Sequence, residues 1–251
     1  MNTIATDLDG TIYLQSRIIP GVRDSIISAK KNNLDFIFIT NNSSETPQTV
    51  KNRLEKILSI QIPVRNIVTP LIVLKKYLNN KNENIYVHGS SKLKNYVSNL
   101  SVITKNIKDA GIILIGRKDH FTTDEVEIIS NAFNEGKNVF ALNKDLTFPI
   151  NEHEFKDGNG AIVKEIENLI GCEIKSFGKP DRLYSSYLND NFSNIRYVIG
   201  DRVDTDILLA KELNAKSFLV KSSIKNYLNE DIADFKFSTF SECISFIIKN
   251  F

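Results

Sequence analysis

Runs of apolar residues on consecutive positions, each cut off by a polar residue, constrain this chain most. The stretch at 36–39 reads FIFI and stops at Thr40, that at 197–199 reads YVI and stops at Asp201, and the opening NTIAT stops at Asp7. A strand with one wet face alternates apolar and polar residues, so unbroken runs predict parallel strands covered on both faces. Between them lie amphipathic segments such as SIISAKK, VKNRLEKILS, LIVLKKYL and TDILLAKEL, which fit the crossover helices that parallel strands require. The pattern predicts an α/β fold with an open sheet. Ligands of such sheets gather at the carboxyl ends of the strands, which is where Asp7, Thr40 and Asp201 fall.

The texture changes over residues 81–177, where NIYVHG, AGIILIG and NVFALN alternate with DEVEIISNAFNEG and AIVKEIENLI. These runs can close an α/β layer of their own, so residues 1–80 and 178–251 are expected to form a core and 81–177 an inserted domain. A chain of 251 residues at 41% hydrophobic composition is long enough for both. Lys plus Arg total 32 against 30 Asp plus Glu. A net charge of +2 offers no global field for nucleic acid or anionic lipid, so neither partner is expected. No apolar run is long enough to span a bilayer, and a cytoplasmic location is expected. Cys172 and Cys243 have no ligand spacing and are expected as two buried thiols. His88, His120 and His153 likewise show no metal-binding spacing.

Four segments carry chemistry. TDLDGTIY places Asp7 and Asp9 one residue apart at a strand end, and Gly10 invites a turn immediately afterwards. Such a pair is either a solvated turn or a site for a hard cation. In the second case the turn aims the Asp9 backbone carbonyl at the cation and frees its carboxylate for proton transfer. Mg2+ suits an all-oxygen set of this kind. FIFITNNSS supplies Thr40 and Asn41 as donors to an anion, with Ser43 and Ser44 read as caps of a helix starting near Thr46 and Pro47. GKPD holds Lys179. YVIGDRVDTDILLA closes a buried run with Asp201 and continues to Asp204, expected to cap a helix at 207–213, and to Asp206.

DLDGT, TNN, GKP and GDRVDTDI, in this order, resemble the four loops of the haloacid dehalogenase superfamily, and in detail its NagD-like, 4-nitrophenylphosphatase-type branch, subclass IIA. The resemblance extends through NKDLTFP and GNGAIV in the insertion. It implies a Rossmann-like three-layer core with a parallel sheet, an inserted α/β cap of the C2 type, and Mg2+-dependent hydrolysis of phosphate monoesters of small metabolites. By position it implies that Asp7 attacks phosphorus and that Asp9 is the proton carrier. It gives the metal to Asp7, the Asp9 carbonyl and Asp201, with Asp206 acting through water or by orienting Asp201. Thr40, Asn41 and Lys179 hold the phosphoryl oxygens. Homodimers through the cap occur among relatives and are open to this chain by analogy.

Within the insertion, Lys118 stands where relatives carry an acidic residue. It is either a selector for a second negative group on the substrate or an exposed loop lysine. Asn143 and Asp145 are either substrate-facing or turn-forming. A phosphotransferase or mutase would use the same acids, and a phospho-acceptor without turnover would use Asp7 alone.

Overall fold

The apolar runs become strands. The computed structural model describes residues 2–15, 17–149, 154–222, 226 and 228–251, so His153 lies outside the described residues. The chain divides into two units: 1–40, 47–68 and 184–251 form the first, 41–46 and 69–183 the second. The segment 81–177 falls inside the second unit.

The first unit carries a six-stranded sheet in the order Phe235–Phe237, Lys216–Val220, Ile195–Gly200, Asn2–Thr6, Leu34–Ile39, Ile67–Val68. Every pairing is parallel. Thr6 lies in register with both Phe38 and Ile199, so the strands that precede Asp7, Thr40 and Asp201 finish at one edge. Alternate residues of these strands divide between two faces. On one face Ile4, Phe36, Phe38, Tyr197, Ile199, Phe218 and Val220 share a core with helices Val22–Lys31, Pro47–Leu58 and Phe240–Asn250. On the other, Leu219 packs with Val203 and Ile207. The expected parallel α/β sheet is present.

The second unit has its own parallel sheet, in the order Lys175–Ser176, Asn138–Ala141, Ile112–Ile115, Ile85–His88, Ile103–Thr104. Helices Thr123–Asn134 and Asn159–Ile170 cover one face through Val126, Ile129, Ile162, Val163 and Ile166. Tyr77, Phe140 and Phe177 form an aromatic trio with centroids 5.0–5.4 Å apart. Two short hairpins escaped the sequence reading, Tyr13–Leu14 with Arg17–Ile18 and Thr147–Pro149 with Phe155–Asp157. Strands of two or three residues show too little alternation to be read. Of the cysteines, Cys243 is buried but Cys172 is exposed, contrary to expectation. The helix Asn159–Ile170 ends on left-handed Gly171, and Cys172 follows on the outgoing turn, off the apolar face. Among the described residues no helix is long and apolar enough to cross a membrane.

His88 ends a strand of the second unit and is buried, with Nδ1 3.8 Å from Glu125 Oε1. Burial holds its imidazole below the ordinary 6.5; the Glu125 carboxylate opposes this, while the Lys118 and Lys94 ammoniums reinforce it. A depressed histidine is neutral in the folded chain at a pH where the unfolded chain has begun to bind its proton. Its contribution is therefore complete above about pH 6.5 and is lost as pH falls below it. Urea midpoints measured at pH 7.5 and 5.5 should drop less in His88→Gln than in the parent. An equal drop would show that burial does not keep the imidazole neutral.

Candidate active site

Asp7 leaves the strand Asn2–Thr6 with its N–H donated to the Ile199 carbonyl at 2.8 Å, which seats it beside the strand that ends at Asp201. The carboxylates of Asp7, Asp201 and Asp206 converge, with one oxygen from each lying within 4.8 Å of the others. All three are buried, at 7%, 1% and 0% exposure. At that spacing two ionised groups repel by about 3–4 kcal/mol at an effective dielectric of 20. A buried cluster of like charges persists only with something positive to offset it. Two glycines make the approach possible. Gly10 sits at φ +93°, and a Cβ there would overlap the Asp201 carboxylate; a Cβ on Gly200 would overlap that of Asp206.

The loop after Asp201 is held from two sides. Asn226 donates Nδ2 to the Asp201 carbonyl at 3.1 Å and accepts the Val203 N–H at 2.8 Å. The Arg202 N–H donates to Asp206 Oδ2 at 3.2 Å. The chain then makes a π-helical turn at Val203–Ile207 before the short α-helix Leu208–Glu212. Asp204, expected to cap a helix, lies within that turn and takes a bidentate ion pair from Arg202 at 3.0 and 2.7 Å. The π-turn places Asp206, not Asp204, against Gly200. The set of buried carboxylate oxygens, with glycines where a side chain would block them, fits a hard divalent cation.

Asp9 behaves differently from Asp7. It is exposed, and its Oδ2 accepts the Tyr13 hydroxyl at 3.3 Å. The neighbouring Thr11 hydroxyl is buried with no hydrogen-bond partner. Thr40 is buried at the end of its strand. Its N–H donates to the hydroxyl oxygen of Tyr184 at 3.3 Å, and that hydroxyl donates to the Val68 carbonyl at 2.9 Å.

In the second unit Asn41 and Lys179 are brought together. The Lys179 N–H donates to Asn41 Oδ1 at 2.6 Å, and Asn41 Nδ2 donates back to the Lys179 carbonyl at 3.1 Å. The Lys179–Pro180 peptide is cis. Asn41 Nδ2 also donates to Asp145 Oδ1 at 2.7 Å, and Asn143 Nδ2 donates to the Asn41 carbonyl at 2.7 Å. Asn143 and Asp145 therefore hold Asn41. Ser43 accepts from Asn143 at 3.4 Å. Lys118 pairs with Glu125 at 2.5 Å. Burial raises the Glu125 pKa, but the Lys118 hydrogen bond and the Thr122 N–H outweigh it and leave the carboxyl below its ordinary range.

Sequence reasoning missed Tyr13, Tyr184 and Asn226. Tyr13 sits on a two-residue strand and Tyr184 in the helix Arg182–Asn191, where each reads as an ordinary core aromatic, and Asn226 carried no local signal.

Two family profiles match this chain. One, described as haloacid dehalogenase-like hydrolase, covers residues 4–102, and a second for HAD-like hydrolases covers 176–238. The chain belongs to the haloacid dehalogenase-like hydrolases. An acid sugar phosphatase of Staphylococcus epidermidis is 27% identical over 231 residues, spanning 90% of this chain and 88% of that protein. One from Staphylococcus aureus is 24% identical over 95% of both chains. Among solved structures, the p-nitrophenyl phosphatase of Archaeoglobus fulgidus superposes with a TM-score of 0.82 at 20% identity, covering 97% of this chain and 98% of its own. The 4-nitrophenylphosphatase of Thermotoga maritima gives 0.80 at 23% identity, covering 98% and 97%. At those identities the superpositions establish the shared fold alone.

Gly10→Ala should disturb the acidic cluster, because alanine must take a left-handed φ and displace the Asp201 carboxylate. We expect a lower melting temperature for the variant, and a rise on adding saturating divalent cation in the parent but not in the variant. A cation-induced rise equal to the parent's would refute the close-approach role.

Proposed function

We propose that the chain is a Mg2+-dependent phosphatase that hydrolyses small phosphate monoesters through an aspartyl-phosphate on Asp7. The observation that carries this reading is the contrast within DLDGT: Asp7 is buried with Asp201 and Asp206, whereas Asp9 is exposed on the turn that Gly10 makes. The contrast supports reading Asp7 as a cation ligand and Asp9 as the proton carrier. The names of the relatives, acid sugar phosphatase and p-nitrophenyl phosphatase, support the same class.

Mg2+ would be held by Asp7, the Asp9 carbonyl and Asp201, with Asp206 orienting Asp201 or acting through water, and when bound it neutralises charge on the acids and the phosphoryl group. In the first step a carboxylate oxygen of Asp7 bonds to phosphorus. The ester P–O bond breaks, and its electron pair stays on the leaving oxygen, which takes a proton from Asp9. In the second, Asp9 takes a proton from water as the water oxygen bonds to phosphorus. The P–O bond to Asp7 breaks, freeing inorganic phosphate and restoring both acids. The reading assigns the phosphoryl oxygens to Thr40, the Asn41 N–H and the Lys179 ammonium, donors that neutralise charge as it shifts. It takes 81–177 as the cap that selects the substrate. Sugar phosphates are the first metabolites to test, given the names of the relatives.

With 4-nitrophenyl phosphate and Mg2+ the parent should turn over many times, and EDTA should abolish the activity. Asp7→Asn should remove turnover, and Asp9→Asn should lower kcat by about 10²–10⁴-fold. Stoichiometric labelling without turnover would replace the phosphatase with a phospho-acceptor. For Lys118, the selector reading expects Lys118→Ala to raise KM for esters bearing a second anionic group by roughly tenfold while sparing those without one. Equal effects on both would leave Lys118 as the partner of Glu125 only.

A further inference from the structure

We propose that Tyr13 and Arg53 position the Asp9 carboxylate for proton transfer; this rests on the phosphatase reading and deepens it. An exposed carboxylate on a turn samples several rotamers, and a proton carrier works only within hydrogen-bond reach of the oxygen it serves. Asp9 is not left to wander. The Tyr13 hydroxyl reaches its Oδ2 at 3.3 Å, and Arg53 Nη2 reaches the Tyr13 oxygen at 2.7 Å. The guanidinium carbon also lies 5.1 Å from the centre of the Tyr13 ring.

The direction of this relay follows from donor chemistry. Arginine only donates, so the Tyr13 oxygen accepts from Arg53 and its own hydrogen points onward to Asp9. That hydrogen bond is possible whether Asp9 is ionised or protonated, since Oδ2 accepts in both states.

Tyr13 is suited to be a fixed post. Its side chain is wholly buried, its N–H donates to the Leu8 carbonyl at 3.2 Å, and its carbonyl accepts the Gly10 N–H at 2.8 Å. The DLDGT turn therefore closes on the residue that steers its own second acid. Arg53 comes from the helix Pro47–Leu58, which starts just after the TNN loop. Burying the tyrosine ring needs neither the hydroxyl nor the arginine, so Tyr13→Phe separates packing from positioning.

The test is single-turnover release of the leaving group from 4-nitrophenyl phosphate and from an alkyl phosphate monoester such as glycerol phosphate. Nitrophenolate departs without a proton, whereas an alkoxide needs one. Tyr13→Phe is expected to lose about tenfold more rate on the alkyl ester than on the aryl ester, a fraction of what full general-acid catalysis supplies. Arg53→Met should show the same bias, Arg53→Lys should recover part of it, and Tyr13→Phe should add no further loss in an Asp9→Asn background. Melting temperatures close to the parent's confirm folding, and Arg53→Met carries the test should Tyr13→Phe not fold. Equal losses on the two esters, or losses that add to that of Asp9→Asn, would overturn the positioning role while leaving the phosphatase in place. A parent that releases neither leaving group overturns both readings.

Discussion

Mutual repulsion among three buried carboxylates is the constraint around which the first unit is organised. Asp7, Asp201 and Asp206 reach one point from two strand ends and a π-helical turn, with glycine at both places where a Cβ would collide with an acid. All three are largely removed from bulk water, and bringing like charges together there costs electrostatic energy unless a positive charge offsets it. A protein can sustain such an arrangement where a cation completes it, and glycine at position 10 takes φ +93° without the strain that any other residue would meet there. The packing around the cluster supplies the rigidity: parallel strands covered on both faces leave Asp7 and Asp201 little freedom to separate.

The second unit solves a different problem with amides. Asn159 donates to the carbonyls of Ile115 and Asn143, Asn143 donates to that of Asn41, and Asn41 exchanges two hydrogen bonds with Lys179. These buried side chains tie a strand end, two loops and a helix start without introducing net charge. Close packing is again secured by glycine. A Cβ on Gly158 or Gly160 would overlap the backbone at Asp145 or Lys144, and one on Gly178 would crowd Asn41 and Asn143. Asn143 and Asp145, which the sequence left as either substrate-facing or turn-forming, are the residues that orient Asn41.

Much of the fold was legible because its signals are local. The runs at 36–39 and 197–199 and the periodic helices between strands depend only on which residues are apolar, and parallel strands need both faces buried. The acids at the ends of those runs stood out for the same reason, since a charge following an apolar strand demands an explanation. The π-turn at Val203–Ile207 was not legible. A π-turn and an α-helix place similar residues on similar faces over so short a span, and the ion pair of Asp204 with Arg202 takes the place of the expected cap. Cys172 was misjudged because its burial depends on where the preceding helix stops.

By itself the sequence determined the parallel α/β architecture and which acids follow the ends of its apolar strands, because strand periodicity and charge placement are properties of neighbouring residues. Only the tertiary structure decided that Asp206 is buried with Asp7 and Asp201 while Asp9 is exposed, that Arg53 reaches Tyr13 across 40 positions, and that Asn143 holds Asn41 across 102. Those pairings depend on the register of strands and the docking of helices. Such distances are set by the packing of the whole core, and no short stretch of sequence encodes them.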